Sequence, residues 1–525
     1  MEQIQNAIAT LDLAVIAVYF LIVIAIGVWV SRKTETGEDL FLAGRSLGWF
    51  AIGLSLFASN ISTSTMIGLT GSAYGDGIAV SAYEWLAGIP LLILAFVFAP
   101  LFLKARVNTV PEWLDNRFDR RVRYYFSGLT IFFTILVDTA GGLYAGGIVL
   151  QTFFPGLDLW MTCLAIGVFA GLYTAAGGLR AVVYTDMLQA GILIFGTSAV
   201  AYFMFRELGF DWAMVREALP EGHLSMVQPL DDPQLPWPGL FFGVVLLGFW
   251  YWVTNQYIVQ RVLGAKSLAD AQWGAVLGGI LKVLPLFIMV LPGAMAVPLL
   301  PDIPENDMVF PTMITQMLPA GLTGLVLAGL VAAIMSSVDS TLNSSSTLVI
   351  HDFVTKPEKE LEPQKARRYG RIATIAFMIF AVIWAPMIQY FGGLWSYLQQ
   401  MFSVLVPPLV AIFIGGAFWR RGTANAALMT LIAGHAVGAG IFVAGQLGWW
   451  PIHFTINVAL MTVFSFIVFI VVSLSEEAEN VPDEAIWNRE EALAPEVTGH
   501  GWYRDIRFHA GLLFAAMLGV LIAFW

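Results

Sequence analysis

Five ionisable residues, Glu84, Asp138, Asp186, Lys282 and Asp339, lie inside long apolar runs. A charge at the centre of a bilayer costs on the order of 2.5–3.5 kcal/mol on insertion scales. Five of them on five segments therefore point to a polar pathway; the simpler alternative is a set of internal pairs that brace a helix bundle. Two hydroxyl-rich stretches accompany them. Residues 55–68 read SLFASNISTSTMIG, with Ile61 the one apolar residue between Ser59 and Thr65. Polar residues in an apolar helix either glue neighbouring helices or rescue backbone groups where the helix is broken, and the density of SNISTST favours a break. An unwound turn exposes carbonyl oxygens, which suit a hard cation such as sodium. The freed N–H groups that open the next half-helix can face a polar substrate. The second stretch, GLVAAIMSSVDSTLNSSST (329–347), offers an opposing wall. Ser336 and Ser337 are adjacent hydroxyls, Asp339 and Ser340 share the helical face of Ser336, and Ala333 can present a carbonyl one turn earlier. Small residues there also permit close packing, but an aspartate packs poorly.

A lipid-embedded frame has to position these groups. The chain has 525 residues, 58% hydrophobic and 12% charged, with mean hydropathy +0.76. Apolar stretches of roughly 20 residues, each long enough to span a bilayer as a helix, recur along its length. About fourteen are expected, near 10–31, 48–73, 79–103, 124–153, 157–178, 181–205, 238–260, 272–300, 318–350, 370–390, 393–418, 424–446, 451–474 and 506–525. These runs are too continuous for a β-barrel, which needs alternating ten-residue segments. Of the 26 Lys and Arg residues, all but Arg206, Arg216 and Lys282 fall in alternate loops. The positive-inside rule then places both termini outward in a multi-pass protein of the cell membrane. The first apolar segment is too long for a signal peptide and reads as a retained anchor. The net charge of −11 comes largely from loops, and no basic tail suggests nucleic acid. The single cysteine, Cys163, excludes a disulfide within the chain and a cysteine-based metal cluster. No soluble domain is evident, and no obligate protein partner beyond the lipid bilayer. Glu84 and Asp138 could act as acid and base in a membrane enzyme, but no nucleophile motif or cofactor loop accompanies them.

Several motifs together resemble the sodium:solute symporter family, and most closely its sodium/glucose cotransporter branch. They are DLFLAGRSLGWF (39–50), ASNIS (58–62), SAYEW (81–85), GGLRAVVYTDMLQ (177–189), NQYIVQRVLGAKSLADAQ (255–272), LGGILKVLPLF (277–287) and AAIMSSVDSTLNS (332–344). The resemblance covers essentially the full length. It implies an all-α membrane transporter with a ten-helix inverted-repeat core, in one domain over 1–525. The N-terminal helix 10–31 would be extra, 48–206 and 238–418 would form the two repeats, and 424–525 would add further helices. The second and seventh segments would be the broken pair, with Gly243 and Gly248 softening the latter.

The family's common sodium site maps onto backbone oxygens of Ala58, Ile61 and Ala333 and the hydroxyls of Ser336 and Ser337. A second sodium site found in some relatives maps onto Asp186, Ser336, Asp339 and Ser340. Asp186 also lies near a cytoplasmic end, where it could simply be hydrated, and Asp339 could take sodium or a proton. Asn60, Glu84, Lys282 and Gln399 match positions that bind sugar hydroxyls, which suits a polyol needing several donors and acceptors. Tyr251 matches an aromatic that stacks on the sugar ring, with Trp252 beside it; Tyr83 and Trp395 match outer-gate aromatics. Thr65 and Ala87 stand where a galactose-transporting relative has longer or hydroxyl side chains. Gly248 stands where it has an amide, and Asp138 lies near an amide position. The resemblance thus implies a sodium-coupled symporter that imports a sugar or related polyol, with Na+ as coupling ion. A sugar acid facing Lys282, or a sensor on the same fold, is the alternative.

Overall fold

The computed structural model describes residues 9–31, 42–153, 156–174, 179–354, 363–391, 393–498 and 501–525. Among these residues there are helices, short turns and two isolated bridges, and no strand. The principal helices are α1 Thr10–Ser31, α2 Trp49–Asn60, α3 Thr63–Asp76, α4 Ile78–Lys104, α5 Arg120–Gln151, α6 Leu159–Thr174, α7 Leu179–Glu207, α8 Gly239–Thr254, α9 Gln256–Leu263, α10 Leu268–Leu299, α11 Leu322–Leu348, α12 Pro363–Trp384, α13 Leu394–Phe418, α14 Ala424–Gln446, α15 Phe454–Ser475 and α16 Ile506–Ala523. A helix or bent helix pair lies at each predicted apolar segment. Among the described residues, nine helices are long and apolar enough to cross a membrane, or up to 11 if each bent pair is one span; three shorter apolar helices lie in α1, α6 and α11. Exposed isoleucines and valines run along the outer faces of α12 (Ile372, Ile375, Ile379, Ile383) and α15 (Val463, Ile467, Val471). A bilayer, not water, is the solvent such stripes fit.

Both bends sit where side chains can replace lost backbone bonds. α2 and α3 meet at 58°. Ile61 leaves the helix at φ −75°, ψ 68°, and Ser62 caps α3, its hydroxyl accepting from the Thr65 N–H at 3.3 Å. α8 and α9 meet at 53° around Asn255, whose side-chain oxygen accepts from the Tyr257 N–H. The second bend is therefore not at Gly243 or Gly248. Gly243 lies against the Thr455 backbone and Gly248 against Pro90, so both are close-approach positions. The break instead falls on an asparagine, whose side chain caps the next helix.

Six π-helical segments widen the helices: Leu94–Phe98, Thr134–Thr139, Gly239–Gly243, Trp250–Thr254, Leu286–Val290 and Val349–Val354. Such insertions tend to mark functional positions, and two of these carry Asp138 and the Tyr251–Trp252 pair.

Close packing holds the frame. α2 lies on α10, where a Cβ at Gly53 would sit 2.6 Å from Leu277 and one at Gly274 would sit 2.6 Å from Ile52. Asp12 of α1 is buried. One of its oxygens accepts from the N–H groups of Gly321 and Gly324 at 2.6 and 2.7 Å, capping the start of α11. Arg117 holds the far end of α13 by donating to the carbonyls of Gly416, Trp419 and Gly422. The loop after α15 is a packed strap: Trp487 donates to Phe96 and Ala417 carbonyls, and Gln272 bridges Ala95, Ala492 and Ala494. Cys163 is buried on α6 beside Gly147.

Candidate functional site: a polar cavity between two bent helices

α2 and α3 carry one wall of a cavity of about 830 Å³, measured out to its opening. Ten of the predicted substrate residues line it: Asn60, Thr65, Tyr83, Glu84, Asp138, Gly248, Tyr251, Trp252, Trp395 and Gln399. Their segments are distant in sequence and meet only because both bent helices face the same space. Ala87 does not line it; it is buried in the turn after Glu84, with its carbonyl accepting from the Leu91 N–H. Lys282 lies behind the wall, fully buried, where α10 turns at Leu281–Val283.

Lys282 reaches the wall through its neighbours. Its Nζ donates to Glu84 Oε2 and to Asn60 Oδ1, and it sits 5.5 Å from the centre of the Trp252 ring. Glu84 is 3% exposed on the side-chain scale and Lys282 0%, so each neutralises the other where water cannot. The pair fixes Asn60 at the last turn of α2, one residue before the break. On one side of the cavity Tyr83 and Trp395 meet edge to face at 5.3 Å. On the other, Tyr257 donates to Tyr251 at 2.7 Å and Tyr251 to the Ser59 carbonyl at 3.3 Å.

The break leaves carbonyls to be satisfied. The Asn60 oxygen accepts from Thr65 Oγ1 at 2.6 Å and from the Ser62 N–H; the Ser59 oxygen is taken by Tyr251. Among the described residues no donor crosses the break to the oxygens of Ala58 or Ile61. Those are two of the three backbone ligands the resemblance assigns to sodium, Ala333 being the third. Thr63 ties the start of α3 to the Leu330 carbonyl of α11, one turn before Ala333, and Ser337 lines the same cavity. The oxygen-only chemistry fits a hard monovalent cation. No cluster of three His, Cys, Asp or Glu occurs among the described residues.

The second predicted cation group divides. The side chains of Ser336 and Asp339 lie outside the described residues. The Ser340 hydroxyl is buried and closes no hydrogen bond among the described residues. Asp186 is not hydrated, as its place near a helix end suggests, but 0% exposed. Its Oδ2 accepts from Ser55 at 2.7 Å, Ser59 at 3.2 Å and Arg261 at 3.1 Å. α7 is thus tied to a half of each bent pair, α2 and α9.

Arg261 is the partner that sequence reading misses, because it reads as one more loop arginine. Thr341 and Gly142 also line the cavity. Each lies four residues beyond a predicted member, Ser337 and Asp138, so helical spacing points to both. Tyr257 gives no such signal, since a break separates it from Tyr251.

Comparison with known proteins places this geometry. The model of the sodium:solute symporter family matches residues 40–434. Sodium/glucose cotransporter 1 of Oryctolagus cuniculus is 36% identical over 480 residues, 83% of this chain and 72% of its own length. Sodium/glucose cotransporter 4 of Danio rerio is 35% identical (81% and 71%), and sodium/myo-inositol cotransporter 2 of Oryctolagus cuniculus 35% (83% and 70%). In fold, the chain is similar to an outward-open Na+-coupled sialic acid symporter, with a TM-score of 0.78 at 22% identity over 90% of this chain and 100% of that one. Mhp1, a nucleobase-cation-symport-1 family transporter, gives 0.58 at 13% identity over 84% and 96%. The chain belongs to the sodium:solute symporter family, and is a membrane transporter rather than an enzyme.

Proposed function

We propose that the protein is a sodium-coupled symporter that imports a sugar or related polyol by alternating access. The observation that carries this is the cavity itself. Its wall combines Asn60, Glu84 and Gln399, groups that donate to and accept from hydroxyls, with the aromatics Tyr83, Tyr251 and Trp395. The relatives named as sodium/glucose and sodium/myo-inositol cotransporters support the same reading. The free oxygens of Ala58 and Ile61, with Ala333, Ser336 and Ser337, form the sodium site of this proposal; Asp186, Asp339 and Ser340 form its second. α2–α7 and α8–α13 are read as the two inverted repeats, each opening on a bent pair.

Sodium bound from outside would favour the outward-open form and complete the substrate site. A ligand shifts such an equilibrium only by its differential affinity for the two states. One charge crossing 100 mV is worth about 2.3 kcal/mol, and about 1.4 kcal/mol is tenfold. One sodium therefore supports a neutral-solute gradient of roughly fiftyfold from voltage alone, and two would square it. A sugar acid fits less well, because Lys282 already donates to Glu84 and Asn60.

The test is uptake of radiolabelled sugars and sugar acids into proteoliposomes under an inward sodium gradient, against potassium. Sodium-driven accumulation of a sugar that needs more sodium in Ser337→Ala and is lost in Lys282→Ala supports the proposal. Accumulation of acidic sugars alone replaces the substrate, and no accumulation of any solute removes the symport reading.

A further inference from the structure

The charges around the cavity do not balance. Glu84 and Lys282 cancel each other. Among the described residues, Asp138, on the π-helical turn of α5, is then the remaining carboxylate on the wall, and no Lys, Arg or His lines the space. Its Oδ2 is buried and receives no hydrogen bond among the described residues. The hydroxyls nearby are engaged elsewhere: Thr139 donates to the Thr134 carbonyl or to Thr341, Thr341 to the Val338 carbonyl, and Tyr257 to Tyr251. Asn255 faces the carboxylate from the second bend, yet its amide nitrogen closes no bond of good geometry. An unpaired carboxylate is tolerable while water fills the cavity. Once a substrate expels that water, it requires a donor, and a charged donor most of all.

We propose that the preferred substrate is a cationic polyol, an amino sugar or aminocyclitol, whose ammonium meets Asp138 while its hydroxyls meet Asn60, Glu84 and Gln399. This rests on the symport reading above and narrows its substrate class. The coupling sodium offsets net charge, but its proposed ligands are oxygens of Ala58, Ile61, Ala333, Ser336 and Ser337, so it gives Asp138 no hydrogen-bond donor. The loops of the face predicted outward favour cations too: Asp231, Asp232, Asp302, Glu305 and Asp307 stand there against Arg206 and Arg216. A vestibule of one sign concentrates ligands of the other.

The experiment is competition in proteoliposomes at pH 7 and fixed sodium. Glucosamine, galactosamine and mannosamine are compared with their parent hexoses and with their N-acetyl derivatives, which keep the ring and lose the charge. The expected result is sodium-driven uptake of at least one amine, with half-saturation about thirtyfold or more below its neutral analogues, the scale of a buried charge pair. Asp138→Asn should collapse that gap, weakening the amine far more than the hexose. The wild-type comparison alone tests the charge preference should the variant fail to fold. Sodium-driven uptake of neutral hexoses without preference for the amine overturns the proposal and leaves the symport reading intact. A preference for the amine that survives in Asp138→Asn overturns the role of Asp138. Hexose uptake whose pH dependence disappears in Asp138→Asn assigns the position to a proton and overturns it as well. Absence of sodium-driven uptake of any polyol removes both readings together.

Discussion

At the scale of single residues, the buried Glu84–Lys282 pair makes the sharpest prediction. Removing one partner strands the other charge away from water, at a cost of about 3–5 kcal/mol, while replacing both with apolar groups of similar size is often nearly neutral. Glu84→Gln and Lys282→Met should each lower the melting temperature of the purified protein, and the double variant should recover most of the loss; transport should be lost in all three. Ser337→Ala should raise the sodium concentration for half-maximal uptake by about tenfold, read by titrating sodium at fixed substrate. Outside the spans, His453 caps α15, its ring nitrogen accepting from the Thr455 N–H. Burial pushes its pKa from the ordinary 6.5 down to about 4. As pH falls below about 6.5 the unfolded chain takes up a proton that the folded one refuses. Stability should therefore decline until about pH 4 and then level off. His453→Asn should flatten that stretch of a melting-temperature profile. Glu84, Asp138 and Lys282 are legible in the sequence because a charge in an apolar run is expensive enough to need a reason. Arg261 is not, because its value depends on the distant Asp186, and no local pattern carries that pairing.

At the scale of elements, each bend is held by the side chain that caps the following helix. The hydroxyl density of SNISTST announces the first bend. The second lies at Asn255, in a run of aromatic residues where glycines look like the weak points; its asparagine acts through one hydrogen bond that composition does not reveal. Substitutions at element junctions should be felt accordingly. Asp12→Ala leaves the N–H groups of Gly321 and Gly324 without their acceptor, at a cost of about 1–2 kcal/mol, visible as a lower melting temperature with sodium affinity little changed. Gly68 faces the Trp395 indole, and a Cβ there would lie 3.0 Å from its Cε3. Gly68→Ala should shift Trp395 away from Tyr83 and raise the half-saturating substrate concentration several-fold without unfolding the protein, as substrate titration would show.

At the scale of the molecule, length and periodicity announce a helical bundle, because a 20-residue apolar run has few other solutions. The basic residues of alternate loops predict both termini on the outer face. A reporter active only in the cytoplasm, fused to the C-terminus, should stay silent; activity would reverse the assignment and place the strap of residues 476–497 on the other side. The π-helical widenings that carry Asp138 and Tyr251 have no sequence signature of their own, since one extra residue in a turn leaves apolar periodicity nearly intact.

Cys163 has a practical corollary. The one native thiol is sealed inside the bundle, between α6 and the Gly147 face of α5. The wild-type chain is thus nearly silent towards maleimide reagents. One cysteine introduced on each side of the cavity would give the two labelled positions, so a fluorophore pair could follow movement across the cavity in real time against a dark background.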